Sequence, residues 1–415
     1  MNRPPYAPNG PPGYPTVSFN LESPSLVWRS ASYQTLLTVA TLCRGFLFGL
    51  NKTEVHGLPR FLELLKSRAD PSTRQRGLVT VSNHVSVMDD PLIWGVLPFS
   101  FHAYHGYLNH RWGFGSHDIC FKGTLLSHFF TLGQVLPTHR LAHSVHGGPM
   151  QPSLTEAIRL LSPIQKISYT PRQHGAFSDC TSHPPSWPRD AVDPFSDTNI
   201  DPQSPHYASY TDDERLYLAP SRYRANQLGW VHIFPEGMIH QSPNYNMRYF
   251  KWGVARLILE PAVCPDVVPI WIEGTDQVMH ESREFPRFIP RPGNRISVTF
   301  GEAVDPEARF GDLRQRWQQL QNRWIEEADP GATKADKELT LFASLGMGMQ
   351  GLSYSAEVLE LWIETTLRVR EEVLRLRRDR GWPDEDPKAS VAETWVREGP
   401  KRQGQMEDGT WVGDT

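Results

Sequence analysis

Residues 78–97 read as strand, loop and helix, and this stretch limits the fold more tightly than any other. Leu78 to Val81 is a short β-prone apolar run that Asn83 breaks. Pro91 suits the first position of a helix running to Leu97, with Asp90 before it as the N-cap. His84 and Asp89 lie five residues apart in the connection. On one continuous α-helix they would stand about 140° apart and could not face each other. A loop that turns into a helix lets the carboxylate reach the imidazole. An Asp beside a His holds one tautomer and raises its basicity, which suits a general base near neutral pH. A loop histidine followed by helix-capping acids is the other reading of the same residues.

The alternation continues along the chain. Residues 55–60 lead into a helix over 60–68, and 121–132 reads as helical. Gly133 to Arg140 is a strand ending in a loop, and Leu154 to Leu161 a short amphipathic helix. Gly229 to Gly237 is a strand followed by a turn, and Phe250 to Glu260 a helix. Val267 to Ile272 and Arg295 to Phe300 are further strands, the first almost wholly apolar, as a buried parallel strand should be. Amphipathic helices follow over 313–327 and 359–380. The apolar stripe of the second, with Leu359, Trp362, Ile363, Val369, Val373 and Leu376, suits a partner, a membrane surface or the core. The aromatic-rich segment from Phe99 to Phe114 carries no clear period. Strands alternating with helices predict an α/β fold, a mixed sheet flanked by helices. In such sheets ligands gather outside the strand C-termini. His84, Arg140 and Glu236 each follow a predicted strand, so one cleft can hold all three.

Composition divides the rest. Residues 1–24 are rich in Pro, Gly and Asn and are expected to be disordered, with no presequence pattern. The domain is expected at 25–161 and 220–330, interrupted by an irregular insertion over 162–219; nine prolines fall from Pro163 to Pro220, at its downstream border. A helical C-terminal extension over 331–380 and a disordered polar tail over 381–415 complete the chain. Within 26–50 a helix carries Trp28, Leu36, Leu37, Phe46 and Leu47, but Arg29 and Arg44 leave only 14 uncharged residues between them. A spanning helix needs about 20 mostly apolar residues. The segment therefore reads as lying on a membrane, or else as a helix of the domain core. The stretch Trp252 to Met279 is a second candidate for an in-plane hairpin. A formal charge of −4 disfavours a nucleic-acid partner, and four scattered cysteines imply neither a zinc site nor a disulfide framework. His139, His143 and His146 have helical metal-ligand spacing but no acidic companion, and read as solvent-exposed.

Taken singly, a Pro-Glu-Gly turn and a strand-end arginine are common. In order, however, Asn83-His84-x4-Asp89, Leu136-Pro-Thr-His-Arg140, Phe234-Pro235-Glu236-Gly237 and Val268-Pro-Ile-Trp271 resemble the blocks of the glycerolipid acyltransferase superfamily. Asn51 to His56, Asp118 to Phe121, Ser127 to Gly133, Trp230 to Gly237 and Phe250 to Ile258 narrow the resemblance to the tafazzins, over about residues 25–160 and 220–330. The long extra segments resemble a fungal form. The resemblance implies a CoA-independent phospholipid–lysophospholipid transacylase that remodels cardiolipin, with phosphatidylcholine and lysocardiolipin among its lipids. It also implies no cofactor and no metal. The expected location is peripheral, on the intermembrane-space side of the mitochondrial outer and inner membranes. His84 and Asp89 would be catalytic, and Asn83, Arg140 and Phe234 to Gly237 would bind substrate. Arg248 and Lys251 join Arg140 as head-group candidates. Backbone N–H groups at the Pro91 helix would stabilise the oxyanion. One departure stands out: Met238, Ile239 and His240 follow the Phe-Pro-Glu-Gly block, where many superfamily members carry a basic residue. The residues themselves leave an acyl-CoA-dependent lysophosphatidate acyltransferase and a non-enzymatic membrane scaffold open, and say nothing of oligomeric state.

Overall fold

The computed structural model of the chain describes residues 22–104, 109–140, 144, 147–163, 208–210, 216–328, 355–397, 404–405 and 411–412. Helices are α1 (Leu26–Leu50), α2 (Leu58–Ser67), α3 (Asp89–Gly95), α4 (Phe99–Tyr104), α5 (His117–Cys120), α6 (Thr124–Leu132), α7 (Pro152–Leu160), α8 (Gly253–Leu259), α9 (Thr275–Val278), α10 (Pro306–Ala328), α11 (Ala356–Asp379) and α12 (Ala392–Arg397). Strands are β1 (Lys52–His56), β2 (Leu78–Ser82), β3 (Arg111–Ser116), β4 (Val135–Thr138), β5 (Ala208–Tyr210), β6 (Leu216–Leu218), β7 (Trp230–Ile233), β8 (His240–Gln241), β9 (Asp266–Glu273), β10 (Arg295–Phe300), β11 (Gly404–Gln405) and β12 (Trp411–Val412).

Seven strands form the central sheet in the order β1-β10-β9-β2-β7-β3-β4. From β9 to β4 every pairing is parallel, whereas β10 runs antiparallel to β9 and β1 parallel to β10. The sheet is therefore mixed, as expected. Both faces are covered, so alternate residues enter different cores. Val79, Val81, Val231, Ile233, Val267 and Trp271 face α7, α8, α10 and α11. Leu78, Trp230, Val268, Ile270 and Ile272 face α1, α2, α3 and α4. The C-terminal ends of β2, β3, β4, β7 and β9 share one edge, where the loops carrying His84, Arg140 and Glu236 begin.

Several expectations are corrected. Helix α3 starts at Asp89, with Met88 rather than Asp90 at its N-cap and Pro91 inside its first turn. Asp90 instead pairs with Arg111 and accepts a hydrogen bond from Trp94 Nε1 at 3.1 Å. Helix α1 belongs to the domain. It buries Ser32, Ala40, Cys43 and Leu47. A Cβ on Gly95 would fall 2.7 Å from that of Cys43, so only glycine lets α1 and α3 approach this closely. Arg44 Nη1 donates to the carbonyls of Val96 and Leu97 at 3.1 Å each and closes the C-terminus of α3. Of the residues assigned to a membrane, Leu47 is fully buried, and Trp28 and Phe46 pack partly buried against the two cores. Leu36 and Leu37 are half-buried. The outward residues are Leu26, Val27, Leu42, Phe48 and Leu50. No helix among the described residues is long and apolar enough to cross a membrane.

The stretch 252–279 is no surface hairpin: α8 is buried along most of its length and β9 sits inside the sheet. Helix α11 puts Val358, Leu361, Trp362, Val369 and Val373 into the core beside α8, so it is part of the domain rather than an appendage. The tail is ordered where it is described: α12 folds back, and β12 pairs antiparallel with β8. His139 is buried, its N–H donating to Gln151 Oε1 at 2.7 Å. His143, His146 and most of the insertion lie outside the described residues. Cys43, Cys120 and Cys264 are free thiols.

Candidate active site

The loop after β2 delivers the dyad. His84 Nδ1 and Asp89 Oδ2 are 2.9 Å apart. Asp89 is fully buried, and three further donors satisfy it. The N–H groups of Val85 and Ser86 donate to Oδ2 at 2.7 and 2.8 Å, and Thr275 Oγ1 donates to Oδ1 at 2.5 Å. A buried carboxylate keeps its charge only when its oxygens are satisfied in this way. With Nδ1 on Asp89, the proton sits on that nitrogen and Nε2 is the basic one. His84 is partly exposed, so Nε2 can meet a substrate hydroxyl. Several of the backbone amides expected to hold an oxyanion are engaged elsewhere. Those of Val85 and Ser86 bind Asp89, and those of Asp89 and Leu92 donate to Ser86 and Met88 carbonyls.

Phe234-Pro235-Glu236-Gly237 lies against the dyad. The Phe234 ring stacks on His84 with centroids 4.3 Å apart and planes inclined by 26°. Glu236 does not project into the cleft. It is buried, and its two oxygens accept the N–H groups of His84 and Arg248, each at 2.8 Å. Burial pushes its carboxyl up to about 7, against the opposing pull of those two amides. His240 N–H donates to the His84 carbonyl at 3.0 Å, so this loop grips both sides of the His84 backbone. Asn83 is also internal. Its amide donates to the Ile272 carbonyl and accepts the Ile272 N–H, both at 2.9 Å, clamping β2 to β9. Both corrections have one cause: the polar atoms of these side chains are spent on backbone groups.

Gly237 has φ +64°, and a Cβ there would meet Lys251 Nζ at 2.6 Å. Lys251 Nζ lies 3.4 Å from the Gly237 carbonyl, and its backbone N–H donates to the Pro235 carbonyl at 2.8 Å. Lys251 thus supplies, from 14 residues along the chain, the cation absent immediately after the block. Lys251 is solvent-exposed but ringed by protein. Partial desolvation first, and then the fields of Arg248 and Arg140, push its ammonium down to about 8. Arg140 follows β4 as expected and pairs with Asp118 of α5, Nε to Oδ1 at 3.1 Å. Arg140, Arg248 and Lys251 therefore form a cationic group at the same sheet edge as the dyad.

Three contributors had no local signal in the sequence. Thr275 reaches Asp89 from the first position of α9. His232, buried behind Phe234 and bonded to Thr80 Oγ1 at 2.9 Å, is driven by burial down to about 3 and stays neutral. The Trp395 ring of α12 lies 4.2 Å under the Arg248 guanidinium.

No family model matches the chain. Among known proteins, tafazzin from Saccharomyces cerevisiae is 30% identical over 382 residues, which cover 90% of this chain and 84% of the yeast protein. The chain belongs to the tafazzin family. The chain is thus an acyltransferase of phospholipid remodelling. Tafazzin from Drosophila melanogaster is 27% identical over 71% of this chain and 57% of its own length. N-acylphosphatidylethanolamine synthase from Arabidopsis thaliana is 26% identical over 64% of this chain and 66% of its own. Among solved structures, the 1-acyl-sn-glycerophosphate acyltransferase of Thermotoga maritima aligns with a TM-score of 0.34 at 17% identity, covering 74% of this chain and 83% of that one.

Proposed function

We propose that this tafazzin-family member moves an acyl group directly from a phospholipid to a lysophospholipid, without CoA, and so remodels cardiolipin. It would work as a peripheral protein on mitochondrial outer and inner membranes, facing the intermembrane space. The observation that carries the chemistry is the 2.9 Å contact between His84 Nδ1 and the buried Asp89. His84 Nε2 takes the proton from the free hydroxyl of the lysolipid. The resulting alkoxide attacks the ester carbonyl of the donor, and a tetrahedral intermediate forms. Its collapse breaks the donor C–O bond, and the proton on Nε2 passes to the departing lysolipid oxygen. Asp89 stabilises the imidazolium between the two transfers. Phe234 fixes the ring plane by stacking. Arg140, Arg248 and Lys251 are the head-group contacts, and a doubly phosphorylated lipid offers two anionic groups to this cluster, in which Arg140 is already paired with Asp118.

One ester replaces another, so the equilibrium constant should lie near unity and no thioester is required. The test mixes labelled phosphatidylcholine, lysocardiolipin and the purified chain with no CoA. Label is expected in cardiolipin. Transfer only after acyl-CoA is added would assign the chain to the CoA-dependent acyltransferases.

A further inference from the structure

The active-site edge of the sheet carries a second feature that the chemistry does not use. Residues 280–292 leave α9 beside the dyad and return to β10. The base of this loop is tied to the site. Gln241 Nε2 donates to the carbonyls of Val85 and Met279, and Arg291 N–H donates to the Val278 carbonyl at 2.9 Å. Its body is pinned from within. Arg283 donates from Nε to the Arg287 carbonyl at 2.6 Å and from Nη1 to the His280 carbonyl at 2.8 Å, and Arg291 Nη2 donates to the Glu284 carbonyl at 2.9 Å. The tip nonetheless holds Phe285 87% exposed, Phe288 75% exposed and Ile289 43% exposed. A braced loop that keeps two phenylalanines in water calls for something to cover them. Residues 280–295 contain four arginines against two glutamates, and one of those, Glu281, is buried between Arg283 and Arg287. Arg287 remains half exposed.

Across the cleft, beyond β2 and β7, the segment after β3 presents a matching element at the same sheet edge. Helix α6 leaves Leu125 84% exposed and Phe129 46% exposed. Aromatic and aliphatic tips beside cationic side chains match the boundary between the acyl chains and head groups of an anionic bilayer.

We infer that the Phe285–Ile289 tip, assisted by α6, is the device that docks this protein on an anionic lipid bilayer with the mouth of the cleft facing the membrane. The inference rests on the lipid-transfer reading above and names the surface that reading lacks. Phe285 and Phe288 enter the acyl boundary, while Arg287 stays among the head groups.

The experiment uses the full chain and sediments it with phosphatidylcholine vesicles made with and without phosphatidylglycerol. The double variant Phe285→Ser/Phe288→Ser should partition about tenfold or more weakly onto both. Arg287→Gln should lose the preference for phosphatidylglycerol. Ile363→Ser/Leu367→Ser, exposed on α11 far along the chain from this edge, should bind as the parent does. Transfer between short-chain lipids dissolved as monomers should be unchanged in the double variant. Unweakened sedimentation of that variant would overturn the docking surface. Absence of transfer by the parent chain on dissolved lipids would overturn the lipid-transfer reading and leave the sedimentation result standing by itself. Photoactivatable phospholipids give a readout that needs no variant. Adducts on the parent chain should map to 284–291 and to α6, and adducts confined to other surfaces would overturn the inference.

Discussion

Glu236 shows how a motif residue can act without touching substrate. Its two oxygens hold the N–H groups of His84 and Arg248, so one carboxylate ties the backbone that carries the proposed general base to that of a proposed head-group cation. Both bonds favour the ionised form, yet burial raises the carboxyl from 4.5 to about 7. A carboxyl with a raised folded pKa binds its proton more readily in the folded chain than in the unfolded one. Its contribution to stability is therefore full below about 4.5 and is lost as pH rises through about 7. Glu236→Gln should remove this component, so that urea midpoints of the variant and parent diverge in pH dependence across that window. Parallel curves would contradict it. The variant should also lose activity, since one amide oxygen cannot serve both N–H groups, and a buried unsatisfied N–H costs about 1–3 kcal/mol. His84, Asp89 and the Phe-Pro-Glu-Gly block were legible in the sequence because their spacing is local. The direction of Glu236 and Asn83 was not, because the backbone groups they serve lie up to 189 residues away.

At the scale of elements, the strands were legible and the faces of the helices less so. β2, β4, β7, β9 and β10 were readable because apolar runs bounded by turn residues leave few other options. β3 was missed: Arg111-Trp-Gly-Phe-Gly-Ser carries two glycines and weak strand character. In α1 the large residues drew attention, but the interior face is built mostly from small ones: Cys43 meets Gly95 of α3, Ser32 donates to the Leu132 carbonyl of α6 at 2.6 Å, and Ala40 is buried with them. The C-terminal tail gave no period at all. Its order comes from long-range contacts. Glu385 pairs with Arg370 and accepts the Met247 N–H, and Trp395 stacks under Arg248. A cation–π contact of this kind contributes about 0.5–2 kcal/mol. Trp395→Ala should therefore raise KM for lysocardiolipin by roughly two- to thirtyfold while changing kcat much less. A fall in kcat with KM unchanged would show that α12 does not position the head-group cation.

For the molecule as a whole, the α/β class followed from strands alternating with helices along the chain, and the shared edge of the site from the place of His84, Arg140 and Glu236 after predicted strands. The limits of the domain did not. The resemblance stopped near residue 330, yet α11 supplies the fully buried Trp362 to the core on one face of the sheet. Amphipathic stripes do not declare which surface they cover, and here the domain itself covers most of this one, leaving Ile363 exposed. Trp362→Ala should cost about 3–5 kcal/mol, a large part of the stability of a typical domain. A melt that moves by only a degree or two would return α11 to the status of an appendage.

The measurement closest to the central claim is acyl exchange between labelled phosphatidylcholine and lysocardiolipin, without CoA, catalysed by His84→Ala. Among the described residues, the His84 side chain bonds to Asp89 and stacks on Phe234. The variant should therefore keep the parent's circular dichroism and melting curve. Loss of the general base should lower the exchange rate by about 10²–10⁴-fold. A folded His84→Ala protein that exchanges label at the parent's rate would contradict the account.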